Sequence, residues 1–482
     1  MPNQQTANAK LLAELISRSP PDQSESFPVL PLTSKTFGVN NKVFKEFVDD
    51  LLPQVTQSNR HDVIKNHREC LKHVVFSLIH AMFNWECLAL PVSADSYGEE
   101  LNKDGVLVSK HMTYFGYTRR ITERIRDILT AGCTDAERSD PHTGWMFMVC
   151  KGYMAADGTR RTAAVYFPTK KFIELFFHAL YTDFGGWDEL TDQYLYRFNN
   201  FLISDVPSLS TYSAKIRILR DYNGFMRDQS WAMKNPSTRA MNMYSPRAGR
   251  INNYYQNIAN RRYKVRTKTL LNGDVIEECD FSANHLWMFS YLVGEELPQD
   301  AYKAIEVASG CRRDQVKSVT TKLLGSTSIS QKGMLIRESH KAKIPCSADQ
   351  FRAIENALYS EYPWLNKYKA FYHDRGAWLQ GLEGEISLKM MHWATENQIP
   401  LLPVHDAYAV NIQNAEITTE TMHEFRLQVL NEAKHEGYLD LASDKQPLVV
   451  ARIKAERERK KEKRNAKKKR ENDECLIAYK SS

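Results

Sequence analysis

Two aspartates, each set at the end of a short apolar run, constrain this chain more than any other feature. The first lies in Val275-Ile276-Glu277-Glu278-Cys279-Asp280-Phe281, which follows the turn Leu271-Asn272-Gly273-Asp274; the second lies in Leu401-Leu402-Pro403-Val404-His405-Asp406-Ala407-Tyr408-Ala409-Val410. The first run reads as a strand leaving a hairpin, with Asp280 at its end. The second reads as two short strands meeting at His405-Asp406, so that a hairpin tip carries an acid. Short strands of this kind among helical segments predict an α+β fold. Two carboxylates brought together repel, so their burial near each other calls for cations or a shared proton.

At 482 residues the chain exceeds one ordinary core, and two or three domains are expected. The most apolar stretch, Leu71 to Val92, is interrupted by Lys72, His73, His80, Asn84 and Glu86, so it predicts a buried helix and not a membrane span. The opening residues are polar and suggest no signal peptide. Eight cysteines without a C-x-x-C pair fit reduced thiols and a cytoplasmic protein. Of the net charge of +7, the stretch from Arg452 to Arg470 supplies +9, twelve Lys and Arg against three Glu, which leaves the rest of the chain near −2. Contact with nucleic acid must therefore be argued from local patterns; the basic tail reads either as a solvated helix end or as a salt-sensitive phosphate anchor.

Composition and periodicity divide the chain into a Gln-, Ser- and Pro-rich flexible arm (1–36), a helical region (37–104), a mixed module (105–180), an aromatic-rich helical scaffold (181–240) with helices expected over Asp192–Ile203 and Lys215–Met226, a strand-and-helix region (241–450), and the basic tail (451–482). In the module, Ile121, Ile125, Ile128 and Leu129 share one helical face, while Arg119, Arg120, Arg124 and Arg126 occupy the rest. A hairpin follows, Trp145 to Lys151 and Arg161 to Phe167 flanking Ala156-Asp157-Gly158-Thr159. A basic helix followed by a β-ribbon looks like a winged helix, in which Arg119, Arg120 and Arg124 would meet DNA; the plain alternative is an α+β lobe with an exposed basic helix.

Asp280 stands where a strand gives way to a helix. Taken alone it would be a helix N-cap; at such a junction it can also ligate a metal, together with the backbone carbonyl of Phe281. A pair of Mg2+ ions, about 3.5 to 4 Å apart, would stabilise the attacking and leaving oxygens of phosphoryl transfer. Between the aspartates, Arg313, Lys317 and Thr321 recur every four residues along Cys311 to Gly325 and so share one helix face. Two cations on one face suit a triphosphate, and Lys317 could give a proton to departing pyrophosphate.

In order and spacing these motifs resemble the polymerase domain of family A DNA polymerases and the related single-subunit phage RNA polymerases. The likeness covers roughly residues 240 to 415. It rests on Asp280, on Arg313 and Lys317, on Val404-His405-Asp406, on Gly249-Arg250-Ile251 with Gln256-Asn257-Ile258, and on Gln380-Gly381, which opens a helix through Met391. The resemblance implies a palm-and-fingers architecture and a template-directed nucleotidyltransferase without proofreading, a DNA-directed DNA polymerase in the first instance. It also implies nucleoside triphosphates and a DNA primer-template as partners. Two Mg2+ ions would be held by Asp280, Asp406 and the Phe281 carbonyl. Arg313, Lys317, His285 and Phe281 would line the nucleotide, and Arg250, Gln380 and His405 the primer and template. The chain departs from the family at Ala407, Thr321, Gly325 and His285, where an acid, an aromatic, a tyrosine position and an acid that excludes a ribose 2′-hydroxyl are usual. The same segment is similar to uncharacterised proteins of bacterial mobile elements, which suggests replication of a phage or plasmid. The competing expectation is a DNA-binding replication initiator or regulator whose polymerase-like half is inactive.

Overall fold

The computed structural model describes residues 42–445 except 85, 92–96, 102–106, 111, 113–115, 133–142, 151–162, 182, 200–206, 243–248, 259, 261–265 and 341–344, together with scattered residues of both ends. The chain is α+β, as expected.

Apolar residues at helical spacing form α1 (Lys42–Val55) and α2 (His61–Asn84), which pack together with Phe44 stacked on Phe76 at a centroid distance of 4.0 Å. Strand β1 (Ser26–Pro28) lies in the segment expected to be a flexible arm; it runs parallel to β2 (Cys87–Leu90) at a sheet edge, and Val29 beside it is fully buried. A small ribbon of β3 (Glu99–Leu101) and β4 (Leu107–Ser109) follows. The basic helix is α3 (Arg119–Leu129): the Thr118 hydroxyl caps it by accepting from the Ile121 amide at 3.3 Å, and Ile121, Ile125 and Leu129 are buried. Strands β5 (Met146–Cys150) and β6 (Ala164–Pro168) pair antiparallel, giving the sheet order β1-β2-β6-β5. The turn expected at Ala156 to Thr159 lies outside the described residues. Helix α4 (Lys170–Tyr181) completes this part.

Of the two helices expected in the scaffold, Lys215–Met226 falls within α6 (Ser213–Arg227), but α5 (Asp192–Leu195) is a single turn that gives way to strand β7 (Tyr196–Asn199). There alternation overrides helical periodicity: Tyr196 is buried and stacks on Tyr212 at 4.7 Å, whereas Arg197 is exposed. Strand β7 pairs in parallel with β8 (Thr238–Asn242), which pairs with β9 (Ile251–Asn252).

Asn272 and Gly273, at φ +56° and +89°, form the two-residue turn between β10 (Leu270–Leu271) and β11 (Asp274–Asp280). With β12 (Leu401–Val404) and β13 (Ala407–Asn411) they build an antiparallel sheet of order β10-β11-β13-β12. Its period-2 alternation serves two hydrophobic cores. Leu402, Val404, Ala407, Ala409 and Ile276 join the core of the first 250 residues, while Leu401, Tyr408, Val410 and Cys279 join a second core. The sheet is therefore a partition covered on both sides, which is why β12 and β13 are buried along their whole length. The second core belongs to α7 (Asn284–Val293), α8 (Lys303–Ser309), α9 (Arg313–Gly325), α10 (Lys332–His340), α11 (Ala348–Glu361), α12 (Trp364–Lys367), α13 (Arg375–Glu396) and α14 (Ala415–His435). No helix among the described residues is long and apolar enough to cross a membrane.

Helix α13 begins five residues earlier than the expected start at Gln380. Its glycines mark close contact, not a boundary: a Cβ on Gly376 would sit 3.0 Å from the backbone of Gly325, and one on Gly384 would sit 2.0 Å from the Gly249 carbonyl oxygen. These contacts lock the helix against the end of α9 and the entry to β9.

Candidate active site

The sheet brings the two aspartates together. Asp280 pairs with Ala407 across β11 and β13, and Asp406 is the residue before Ala407; strand geometry then keeps the two Cα atoms within about 9 Å. The hairpin tip holds His405 at φ +60°, a left-handed backbone that glycine adopts more readily. Asp280 does not cap α7; the N-cap position is held by Ala283, at φ +50° and without a side-chain cap.

Among the described residues neither aspartate has an ion-pair partner. Asp280 is exposed at the end of β11 and Asp406 is half-buried at the hairpin tip. Crowding by surrounding protein and the Asp406 charge raise the Asp280 carboxyl to about 6, opposed by Lys317. Burial also raises Asp406, helped by the Glu383 charge and opposed by Arg250 and His285. Lys317 is thus near Asp280, with its side chain exposed on the outer face of α9 beside Thr321, while Val316, Val319, Thr320 and Leu323 anchor the inner face. Arg313 shares the outer face, but its guanidinium meets Asp300 at 2.8 Å and Glu306 at 2.9 Å. Binding a triphosphate there would exchange these exposed pairs for phosphate contacts. The buried phenol of Tyr302 is pushed up to about 12 by burial first, and it feels both Arg313 and Asp406.

Sequence reasoning missed Glu383. This carboxylate is fully enclosed beside Asp406. Arg250 Nε donates to it at 2.5 Å, His285 Nε2 lies 2.8 Å from its other oxygen, and Asn284 Nδ2 donates at 3.1 Å. Burial pushes the Glu383 carboxyl up, but His285 and Arg250 outweigh it and hold the group at about 2. The carboxylate only accepts, so the 2.8 Å contact favours a proton on the His285 Nε2, which also lies 3.4 Å from the Arg250 guanidinium. The Asn284 carbonyl oxygen is buried without a partner. A signal for Glu383 was present: it stands four residues from Leu379 and three from Ile386, an acid on the buried stripe of a helix.

Phe281 is held rigidly, its ring edge against His423 at 5.2 Å and its face under the Arg426 guanidinium at 4.2 Å. Gln380 lies half-buried in the second turn of α13, and His405 is exposed. The three arginines of α3 expected to meet DNA differ in their contacts. Arg119 pairs with Glu123 at 2.9 Å, Arg124 donates to the carbonyl that ends α1, Val55 O, at 3.3 Å, and Arg120 is exposed. Arg124 thereby caps a helix.

Among the described residues no group of three or more His, Cys, Asp or Glu is arranged to hold a metal ion. Asp280, Asp406 and the Phe281 carbonyl form the smaller set that suits Mg2+, which keeps waters or substrate phosphates as its remaining ligands. The fit rests on the electrostatics: two neighbouring carboxyls raised in pKa, with no counter-ion from the chain. Comparison with protein-family models, curated proteins and solved structures finds no match.

Proposed function

We propose that this chain is a template-directed nucleic-acid polymerase that uses Mg2+, a DNA primer-template and nucleoside triphosphates, with a palm-and-fingers arrangement over residues 241–450. The observation that carries this reading is the adjacency of Asp280, at the end of β11, and Asp406, at the tip of the neighbouring β12-β13 hairpin, without ion-pair partners among the described residues and with Lys317 of α9 beside them. In this reading Asp280, Asp406 and the Phe281 carbonyl hold the metal. Bound Mg2+ would neutralise charge on the transferring phosphoryl oxygens and lower the pKa of a primer hydroxyl. Lys317 contacts the phosphates and donates a proton to departing pyrophosphate, and Arg313 turns from Asp300 and Glu306 to the triphosphate. Glu383 keeps Arg250 and His285 at the rim, where Arg250, Gln380 and His405 orient primer and template, and His285 and Phe281 border the nucleotide.

Arg313 in its acidic clasp, together with Ala407 after Asp406, favours a second reading: a DNA-binding replication initiator or regulator that does not catalyse, contacting DNA through Arg119 and Arg120. Extension of a labelled primer-template with Mg2+, offering deoxynucleotides and ribonucleotides separately beside Asp406→Asn, separates the two. Template-dependent extension lost in the variant is the expected result and reports the sugar preference. Tight, salt-sensitive DNA binding without extension would transfer the assignment to the initiator.

A further inference from the structure

A second site lies away from the carboxylates. A cavity of about 370 Å³ opens where the ends of α7 and α14 meet the connection between α12 and α13. Its volume lies within the range of small-molecule sites, and its charge is one-sided: Lys367, Lys369, Arg375 and Lys434 line it against one carboxylate, Asp440.

Arg375 is the informative member. It is 3% exposed, and its hydrogen bonds go to neutral acceptors, the Lys369 carbonyl at 3.4 Å, the Leu439 carbonyl at 3.1 Å and the Ser443 hydroxyl at 2.7 Å. Among the described residues no carboxylate reaches it at ion-pair distance, and only the more distant charges of Asp440 and Asp374 act on it, too weakly to outweigh its burial. A buried guanidinium without a paired anion is costly, and a multiply charged anion in the cavity would offset that cost. The three lysines are loosely held by comparison. Lys367 stands 3.8 Å from Glu295, and Lys434 reaches the Tyr291 carbonyl at 3.5 Å. The connecting backbone is strained around the opening, with Lys369, Tyr372 and Asp374 at φ +51°, +63° and +59°. Strain of this kind persists where surrounding structure enforces it, and it clusters at ligand clamps and active sites.

We propose that this cavity binds a phosphate-bearing anion, either a free polyphosphate or the backbone phosphates of a nucleic-acid strand. It is distinct from the carboxylate pair. Helix α7 starts beside Asp280 and ends at the cavity, roughly 13 Å along its axis at 1.5 Å per residue. The site does not depend on the polymerase reading.

Calorimetric titration of the full chain in EDTA and low salt, with inorganic pyrophosphate and separately with a short oligothymidylate, tests the proposal. EDTA silences any metal-assisted binding at the aspartates. Lys369→Glu with Lys434→Glu is compared with a matched charge reversal on a remote face, Lys45→Glu with Lys65→Glu, and thermal melts establish that both fold. The expected result is a loss of at least tenfold in affinity confined to the first pair. Loss for pyrophosphate identifies a free polyphosphate ligand; loss for the oligonucleotide alone identifies strand phosphates. Equal losses in the two pairs, no loss in either, or no binding of either probe to the wild type in the millimolar range would overturn the site.

Discussion

Two groups of acids near the partition sheet, an ion-paired set at the back and the Asp280-Asp406 pair at the front, are held in opposite ways. At the back, three carboxylates are matched by the chain's own cations: Glu278 by Arg266, Glu385 by Arg239 and Lys215, and Glu383 by Arg250 and His285. At the front, Asp280 and Asp406 stand side by side without such a partner, and both carboxyls are raised. Buried ion pairs of the first kind fix geometry, since removing one partner strands the other. Acids of the second kind are left to be neutralised by something outside the chain. The contrast runs within one strand, where Glu278 is paired and Asp280 two residues on is not, and under the proposed function it separates a structural from a binding role among residues of the same charge.

The largest expected effect breaks the front. Asp406→Asn should reduce primer extension by about a thousandfold or more, since metal-assisted charge stabilisation is worth several kcal/mol and each 1.36 kcal/mol is tenfold in rate. Its melting temperature should not fall. Breaking the back should do the reverse: Glu383→Gln strands Arg250 and His285 and should cost about 3–5 kcal/mol of stability in denaturant unfolding. Next comes the clamp that brings α13 to Gly249. Gly384→Ala forces a methyl into the Gly249 carbonyl and should cost about 1–3 kcal/mol, read as a lower unfolding midpoint.

The two kinds of acid should also differ in sign with pH. The Asp280 carboxyl is raised above its ordinary 3.8 toward about 6, so the folded state holds the extra proton and stability falls slightly as pH rises through that range, by an amount that solvent at this exposed carboxyl keeps small. Asp280→Asn should therefore melt slightly higher than wild type at pH 8, and the gain should vanish by pH 4. Glu383, held at about 2, contributes stability that is present above its ordinary 4.5 and is lost as pH falls through 4.5 toward 2. The smallest effect belongs to the exposed clasp: Arg313→Ala should change stability by less than about 1 kcal/mol, while weakening nucleotide binding if the guanidinium turns to the triphosphate.

The front was legible in the sequence and the back was not, for a physical reason. Asp280 and Asp406 sit on local signals, a two-residue turn at Asn272-Gly273 and two short apolar runs meeting at His405, and such patterns survive without tertiary context. Glu383 becomes meaningful only when β9, α7 and α13 bring Arg250, His285 and Asn284 around it from positions far apart in the chain. Periodicity misassigned Tyr196–Asn199 for a related reason: the aromatic run fits either period, and the parallel partner, β8, is some forty residues on. Ser26–Pro28 likewise becomes a strand only through its pairing with β2. The Gln380-Gly381 resemblance places the start of α13 at Gln380, and the five residues before it become helical where Gly376 lets the chain pack against Gly325.

The most direct test of the unmatched pair is metal binding without catalysis: titration of Mn2+ into the full chain at pH 8, followed by water-proton relaxation, for wild type, Asp280→Asn, Asp406→Asn and Glu383→Gln. Mn2+ should bind the wild type, each aspartate variant should lose at least tenfold in affinity, and the same titration at pH 5 should be weaker because Asp280 is then mostly protonated. Equal Mn2+ affinity in the wild type and both aspartate variants would contradict the account, since the two acids would then have some role other than holding a divalent cation.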